Sequence, residues 1–207
     1  PLKLSNTPQL SDVSTTLRLL MDMGSNFVLE EDGSIFIDSS KLTNLTAEYS
    51  LVKTMRASIL TLGPMLAKYK KAKISLPGGC AIGTRPVNLH LEALEKMGAT
   101  IEVKNGYIHA KTKELVGAQI NFDLISVTAT ENIIMAASLA KGITTINNAA
   151  QEPEVTDLIR CLNKMGAKIL GENTSTLVIE GVNHLSGVDY SICPDRIEAG
   201  TYLVAAA

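Results

Sequence analysis

Residues 153–166, PEVTDLIRCLNKMG, contain the pattern that decides the fold. Apolar side chains recur there at i, i+4, i+7 and i+10, a spacing that places them along one face of an amphipathic α-helix. The stretch ends in a glycine, the residue best suited to the left-handed position just after a helix. The same pattern recurs in residues 13–24 and 87–98. The three apolar stripes are Val155, Ile159, Leu162 and Met165; Val13, Leu17, Leu20 and Met23; and Val87, Leu91, Leu94 and Met97.

A strand–turn–strand pattern follows each of these helices. In the first two copies the dipeptides Asp32-Gly33 and Asn105-Gly106 separate short stretches of alternating apolar residues, which is the strongest short-range signal for a β-hairpin. A second helix is predicted after each hairpin, and a short strand then leads into the next copy. The predicted hairpins cover residues 26–37, 100–108 and 168–179; the second helices cover roughly 51–68, 128–140 and 196 onward; the short strands cover 73–76 and 143–146. Gly63-Pro64 should kink the first of these second helices or mark a break in it.

These copies predict an α/β fold built from repeated units of about 70 residues. We expect three helix–hairpin units, at residues 1–72, 73–142 and 143–207, arranged around a pseudo-threefold axis. Together they would form a single lobe covering residues 1–207. The chain begins without a methionine and stops within a predicted helix, so we interpret it as a fragment of a longer protein.

The composition is that of a globular protein, with 45% apolar and 19% charged residues. A net charge of −2 gives no general attraction to nucleic acid or to an anionic membrane surface. No apolar segment reaches the roughly 20 residues that a membrane span needs. Three cysteines without paired spacing argue against a disulfide framework and against a zinc site, so we expect a cytoplasmic protein without a metal or cofactor.

The second copy differs from the other two in one loop. Between the short strand and the first residue of the stripe it is two residues longer, and the extra residues fall in residues 77–86, PGGCAIGTRP. Glycines there allow close backbone approaches, and Arg85 precedes a helix start, which favours anions. These surroundings favour ionisation of Cys80, which could act as a nucleophile in its thiolate form or as a proton donor in its thiol form. The alternative interpretation of Cys80 is a small residue in a tight turn.

Other polar residues have weaker functional interpretations. Glu152, Glu154 and Asp157 could be paired catalytic carboxylates, but acidic residues at a helix start more often complement its dipole. Cys161 and Cys193 are interpreted as packing residues. Two other classes of protein remain open from these features alone. A non-catalytic clamp should have a basic inner face, and a thiol redox protein should have a second cysteine near Cys80.

Five segments resemble a known family, the bacterial UDP-N-acetylglucosamine enolpyruvyl transferases. The resemblance extends along the whole chain. It implies transfer of the enolpyruvyl group of phosphoenolpyruvate to the 3-hydroxyl of the sugar nucleotide, with release of phosphate, at the start of peptidoglycan precursor synthesis. It also implies an inside-out α/β barrel in each of two lobes, of which this chain would be the lobe with the cysteine. The segments are residues 51–59 (LVKTMRASI), 75–90 (SLPGGCAIGTRPVNLH), 130–135 (TENIIM), 148–154 (NAAQEPE) and 194–198 (PDRIE).

The resemblance also implies roles for individual residues. Cys80 would donate a proton to the methylene carbon of phosphoenolpyruvate and would be alkylated by fosfomycin. Arg85 would contact both substrates, and Arg56 would bind near the phosphate. Two segments would line the nucleotide site, with Asn88 where an aspartate is common and Leu124 where some members have a lysine. These segments are Pro86, Val87, Asn88 and Leu89, and Leu124, Ile125, Ser126 and Val127.

Parts of the family's site have no counterpart in this sequence. A lysine–asparagine pair that holds phosphoenolpyruvate would precede Pro1, and an aspartate base and a further arginine belong to the second lobe. We therefore expect the fragment to fold but not to turn over substrate. We also expect the loop at residues 77–86 to be flexible or open.

Overall fold

The computed structural model describes residues 1–53, 55–76 and 87–207. Helices and strands alternate along this part of the chain. The helices are α1 (Ser11–Asp22), α2 (Tyr49–Val52), a 3₁₀ helix (Arg56–Thr61), α3 (Leu62–Tyr69), α4 (Asn88–Lys96), α5 (Val127–Ala137), α6 (Pro153–Lys164) and α7 (Arg196–Ala206). The strands are β1 (Leu2–Ser5), β2 (Asn26–Leu29), β3 (Ile35–Asp38), β4 (Thr46–Ala47), β5 (Lys71–Ser75), β6 (Thr100–Lys104), β7 (Tyr107–Lys111), β8 (Gln119–Asn121), β9 (Ile143–Asn147), β10 (Lys168–Leu170), β11 (Thr176–Glu180) and β12 (Val188–Ser191).

Within the described residues the strands form three four-stranded sheets of the same design. Their strand orders are β12-β1-β3-β2, β4-β5-β7-β6 and β8-β9-β11-β10. Each sheet contains a hairpin and a third strand that pairs antiparallel with the second strand of that hairpin. A short outer strand then pairs parallel with the third strand. The predicted α/β class with repeated helix–hairpin units is confirmed.

The short parallel strands β4, β8 and β12 were not predicted. Each of them pairs with a strand of a different unit. β4 and β8 pair with β5 and β9, the first strands of the units that follow, and β12 pairs with β1 of the first unit. β12, near the end of the chain, pairs with β1 at its beginning, with Leu2 opposite Val188 and Ser5 opposite Ser191. This pairing ties the two ends of the described chain into one sheet.

The predicted helix ends and hairpin turns are confirmed in detail. Gly24, Gly98 and Gly166 have φ of +102°, +95° and +100°, the left-handed conformation expected after the helix. Asn105 and Gly106 also have positive φ, +52° and +76°. Two successive residues with positive φ match the twist of a two-residue hairpin turn, which explains why an Asn-Gly pair stands there.

The core is centred on α3 and α5. Gly63 in α3 allows their close approach, because a Cβ at this position would lie 2.4 Å from both the backbone oxygen and the Oδ1 of Asn132 in α5. The helix predicted over roughly residues 51–68 is divided into α2, the 3₁₀ helix and α3. The break expected at Gly63-Pro64 is confirmed, because α3 begins at Leu62 and Pro64 lies in its first turn, where proline is tolerated. The further division between α2 and the 3₁₀ helix was not predicted.

Helix α7 differs from α5 in its burial. Seven residues of α5 are buried, whereas none of the residues of α7 is buried in the described structure. Leu203 and Val204 are 72% and 79% exposed. Among the described residues, no helix has both the length and the apolar composition that crossing a bilayer requires.

Candidate functional site

The first turns of α4 and α5 meet at His90, a buried residue of α4. Its Nδ1 lies 2.9 Å from Nδ2 of Asn132, and its Nε2 lies 3.4 Å from Oγ1 of Thr128. Both partners belong to α5. Because His90 is two residues after Asn88 and Thr128 is two residues after Ser126, these contacts bring together the two segments predicted to line the nucleotide site.

Asn132 also determines the protonation of His90. Its Oδ1 accepts a hydrogen bond from the Gly63 N–H at 2.8 Å, and its Nδ2 donates to the carbonyl of Ile59 at 3.1 Å. The amide nitrogen therefore faces His90, so Nδ1 of the imidazole accepts and the ring proton is on Nε2, which donates to Thr128. This network joins α4 and α5 to the helical segment that starts at Arg56.

The imidazole of His90 is held in its neutral form. Burial lowers its pKa, and the positive charge of Arg56 lowers it further, to about 4. Arg56 is the first residue of the 3₁₀ helix and is half-buried. The 3₁₀ helix packs against α5, where Nδ2 of Asn132 donates to the carbonyl of Ile59. Because helix N-termini favour anions, we refer to Arg56 and the starts of α4 and α5 together as the electropositive region.

The predicted lining residues occupy different environments. Val87 and Leu89 are half-buried and pack against the core, whereas Asn88 is exposed and donates to Oε1 of Glu92 at 3.3 Å. Cys80, Arg85 and Pro86, with the expected open loop at residues 77–86, lie outside the described residues. Their predicted roles therefore remain predictions.

The segment that precedes α5 presents two apolar side chains to solvent. Leu124 is 69% and Ile125 is 60% exposed. Ser126 caps α5, since its Oγ accepts a hydrogen bond from the N–H of Ala129. Val127 packs against the core. The exposed pair therefore offers an apolar surface at the edge of the electropositive region, while Ser126 and Val127 hold the segment in place.

Glu131 is a polar residue that the sequence analysis quoted in a motif but gave no role. Burial raises its pKa, and the charges of Glu154 and Glu152 raise it further, to about 7. It forms no hydrogen bond or ion pair with any described residue. Glu131 is the one charged residue in the sequence of α5, and this is the signal that could have identified it.

The acidic residues of α6 make contacts that hold the chain around β12. Glu154 forms a bidentate ion pair with Arg196, with distances of 2.8 and 3.1 Å. Asp157 accepts hydrogen bonds from the hydroxyl of Tyr190 at 2.7 Å and from the N–H of Cys193 at 3.2 Å. These contacts favour a structural interpretation of both carboxylates over a catalytic pair.

The two described cysteines lack the features of reactive thiols. Cys161 and Cys193 are free, and burial raises the pKa of both thiols. Neither cysteine therefore has the readily ionised thiol that is typical of a reactive residue.

Three curated relatives of this chain share one name. The chain is 76% identical over 206 residues to the UDP-N-acetylglucosamine 1-carboxyvinyltransferase of Ruthia magnifica subsp. Calyptogena magnifica, and 75% identical over 207 residues to that of Vesicomyosocius okutanii. The relative from Hydrogenovibrio crunogenus is 60% identical over 207 residues. In each case all of this chain is covered but only 49% or 50% of the relative. The chain thus spans about half the length of the curated relatives it matches.

Solved structures share the fold at low sequence identity. The enolpyruvyl transferase NikO from Streptomyces tendae matches with a TM-score of 0.84 and 20% identity, over 99% of this chain and 49% of NikO. EPSP synthase from Acinetobacter baumannii matches with a TM-score of 0.75 and 20% identity, over 100% of this chain and 47% of that enzyme. The family model described as EPSP synthase (3-phosphoshikimate 1-carboxyvinyltransferase) matches residues 2–207. The chain therefore belongs to the EPSP synthase family of carboxyvinyltransferases.

Proposed function

We propose that this chain is the cysteine-loop lobe of an enzyme that transfers the enolpyruvyl group of phosphoenolpyruvate to the 3-hydroxyl of UDP-N-acetylglucosamine and releases phosphate. The proposal rests on one observation: the whole chain is 75% and 76% identical to two proteins named UDP-N-acetylglucosamine 1-carboxyvinyltransferase, a name that states this reaction. Because those relatives are about twice as long, the remaining half of the site would come from a second lobe.

In the proposed reaction Cys80 is the acid. Its proton passes to the methylene carbon of phosphoenolpyruvate, which leaves an oxocarbenium-like centre at the neighbouring carbon. The 3-hydroxyl oxygen of the sugar attacks that centre and loses its proton to a base from the second lobe. Loss of phosphate, and transfer of one methyl proton back to the thiolate of Cys80, then gives the enolpyruvyl ether and restores the thiol. Arg85 and Arg56 would hold the carboxylate and phosphate groups, because a planar guanidinium pairs well with such anions.

The described residues support binding of a nucleoside diphosphate sugar. Arg56 and the starts of α4 and α5 form an electropositive region that suits a diphosphate. Leu124 and Ile125 expose apolar surface beside it, which suits the face of a uracil ring. Leu124 cannot supply the charge that a lysine would, so the phosphate contacts would come from Arg85 and from backbone N–H groups.

The proposal includes fosfomycin as a covalent inhibitor that alkylates Cys80, and a location in the cytoplasm. Free thiols at Cys161 and Cys193 are consistent with a reducing compartment.

Labelling of the longer protein that contains this chain tests the proposal. Fosfomycin is incubated with that protein and phosphoenolpyruvate-dependent phosphate release is measured, followed by peptide mass spectrometry. We expect a single adduct on Cys80, and a loss of phosphate release of about 10²-fold or more in Cys80→Ser, since removing a general acid has an effect of that size. Cys161→Ser is the matched control and should keep full activity. An adduct on Cys161 or Cys193, or an active Cys80→Ser variant, would refute the role of Cys80.

A further inference from the structure

Thr128 lies where the starts of α4 and α5 meet, in the region where the nucleotide is proposed to bind. It is the second residue of α5, two residues after Ser126, which caps that helix. Thr128 is exposed, and its Oγ1 lies 3.4 Å from Nε2 of the buried His90 in α4. The family resemblance assigns no role to Thr128, although it directly follows Val127. Its hydroxyl is therefore a polar group of the candidate site that the proposed reaction does not yet use.

The direction of the hydrogen bonds around Thr128 is fixed by backbone groups. The N–H of Gly63 can only donate and the carbonyl of Ile59 can only accept, so Asn132 presents Oδ1 to the first and Nδ2 to the second. Nδ2 also faces Nδ1 of His90 at 2.9 Å, which makes Nδ1 an acceptor and leaves the ring proton on Nε2. Nε2 of His90 thus donates to Thr128, whose Oγ1 is the acceptor of this pair.

The hydroxyl proton of Thr128 is left to donate elsewhere. A hydroxyl inside a helix can donate to the carbonyl four residues earlier, as Thr15 does to Ser11 at 2.9 Å. Thr128 is too close to the helix start for this bond, because α5 begins at Val127. Within the part of the chain that the structure describes, no carbonyl or carboxylate oxygen accepts from Thr128. Because Thr128 is exposed, its proton is available to an acceptor on a bound molecule.

A phosphate oxygen is the acceptor that suits this position. The first N–H groups of a helix have no partner within the helix, and they favour anions. A hydroxyl that already accepts a hydrogen bond is polarised into a better donor, because hydrogen bonds in a chain strengthen one another. A hydrogen bond to an ionised oxygen is also about twice as strong as one to a neutral oxygen. Leu124 offers a diphosphate no charge, so neutral donors such as Thr128 contribute more of the contact.

We propose that Thr128 is a specificity-determining residue for the diphosphate of the sugar nucleotide: its hydroxyl, oriented by His90, donates a hydrogen bond to a diphosphate oxygen. His90 and Asn132 are positioning residues in this arrangement, since neither needs to touch the ligand. The inference rests on the proposed function, because that function places the nucleotide at the starts of α4 and α5. It adds a side chain that recognises the diphosphate itself.

Isothermal titration calorimetry with UDP tests the proposal in the longer protein that contains this chain. Thr128→Val keeps the shape of the side chain without the hydroxyl, and it should weaken UDP binding by about tenfold or more, as expected for one lost hydrogen bond to a charged group. Thr128→Ser keeps the hydroxyl and should retain most of the affinity. Thr15→Val is a matched change in a helix outside the site and should bind UDP as the parent does. Equal UDP affinity in Thr128→Val and the parent would overturn the proposal.

Steady-state kinetics separates a contact with the nucleotide from general damage to the fold. Thr128→Val should raise KM for UDP-N-acetylglucosamine by about tenfold and leave kcat nearly unchanged, since the diphosphate is bound equally in the ground state and the transition state. KM for phosphoenolpyruvate should also stay the same. A loss confined to kcat, or an equal rise in both KM values, would contradict a specific contact with the diphosphate.

The role of His90 is tested by combining Thr128→Val with His90→Asn. If His90 orients the hydroxyl, Thr128→Val should cost less UDP affinity in the His90→Asn background than in the parent. Equal losses in the two backgrounds would show that His90 does not orient Thr128, and the proposal would be wrong. A parent protein that neither binds UDP nor turns over UDP-N-acetylglucosamine would overturn the proposed function as well. UDP binding and turnover in the parent, with Thr128→Val unaffected, would overturn this inference alone.

Discussion

The Nδ1 of His90 accepts a hydrogen bond from Nδ2 of Asn132 across 2.9 Å, in a position where both side chains are buried. The same amide binds the backbone of Gly63 and Ile59. One asparagine therefore connects three helical segments whose starts surround the candidate site. Because Asn132 fixes the tautomer of His90, the network tolerates only a neutral imidazole.

The first prediction concerns the pH dependence of stability that His90 causes. In the unfolded chain the imidazole takes up a proton near its ordinary pKa of 6.5, whereas in the fold its pKa is about 4. The unfolded state therefore binds more protons in this window, and the contribution of His90 to stability should fall as the pH decreases from 6.5 to 4, by up to about 3 kcal/mol. The difference in the free energy of urea unfolding between the parent chain and His90→Asn, followed by circular dichroism across this range, measures this contribution.

Variants at position 90 separate this contribution from others. His90→Ala should lower the free energy of unfolding at pH 7 by about 2–4 kcal/mol, because it leaves a cavity and an unpaired Asn132. His90→Asn keeps an acceptor and should lose less. Neither variant should retain the slope between pH 6.5 and 4 that His90 contributes. An unchanged slope in His90→Asn would show that another group titrates there.

Glu131 should have the opposite effect on stability. Its pKa rises from an ordinary value of 4.5 to about 7 in the fold, so the folded state holds a proton that the unfolded state releases. The contribution of Glu131 to stability should therefore fall as the pH rises from 4.5 to 7, by up to about 3 kcal/mol, which opposes the contribution of His90. Glu131→Gln removes this loss, so the variant should gain on the parent chain as the pH rises through that range.

Glu154→Gln serves as the control for Glu131. It removes one of the charges that raise the pKa of Glu131, and so it should reduce the slope without abolishing it. Thermal unfolding of both variants at several pH values makes the comparison. A constant difference in stability between Glu131→Gln and the parent chain from pH 4.5 to 7 would contradict the shifted pKa.

Gly63→Ala tests the close approach of α3 and α5. On a free helix the exchange of glycine for alanine stabilises by roughly 1 kcal/mol. Here the added Cβ would lie 2.4 Å from two oxygens of Asn132, so the helices must separate. We expect a net destabilisation of about 1–3 kcal/mol, which is the usual effect of overpacking a core. A stabilised Gly63→Ala variant in urea unfolding would be inconsistent with this packing.

The 207-residue chain alone should release no phosphate from phosphoenolpyruvate. Its relatives are about twice its length, so half of the proposed site belongs to residues outside it. A coupled phosphate assay with and without UDP-N-acetylglucosamine makes the measurement, with the longer protein as the positive control. Release from the 207-residue chain that depends on the sugar nucleotide would show that one lobe suffices.

Local patterns made much of the fold predictable. The stripes that end at Gly24, Gly98 and Gly166, and the Asn105-Gly106 turn, depend on residues that are near one another in sequence. The parallel strands β4, β8 and β12 were missed because two to four residues are too few to show a period. Their pairing also joins distant parts of the chain, as Leu2 and Val188 illustrate.

The candidate site shows the same division between local and distant interactions. The segments around Arg56, Asn88 and Ser126 were identified by resemblance, but the sequence could not show how they meet. The role of His90 depends on Asn132, which is 42 residues away and whose orientation is set by Gly63 in yet another helix.

The acceptor of the enolpyruvyl group is the most direct test of the proposed function, because the family also includes enzymes named for 3-phosphoshikimate. The longer protein that contains this chain is given phosphoenolpyruvate with either UDP-N-acetylglucosamine or shikimate 3-phosphate, and phosphate release and product mass are measured. We predict phosphate release and an enolpyruvyl ether only with the sugar nucleotide. Turnover with shikimate 3-phosphate and none with UDP-N-acetylglucosamine would contradict the account.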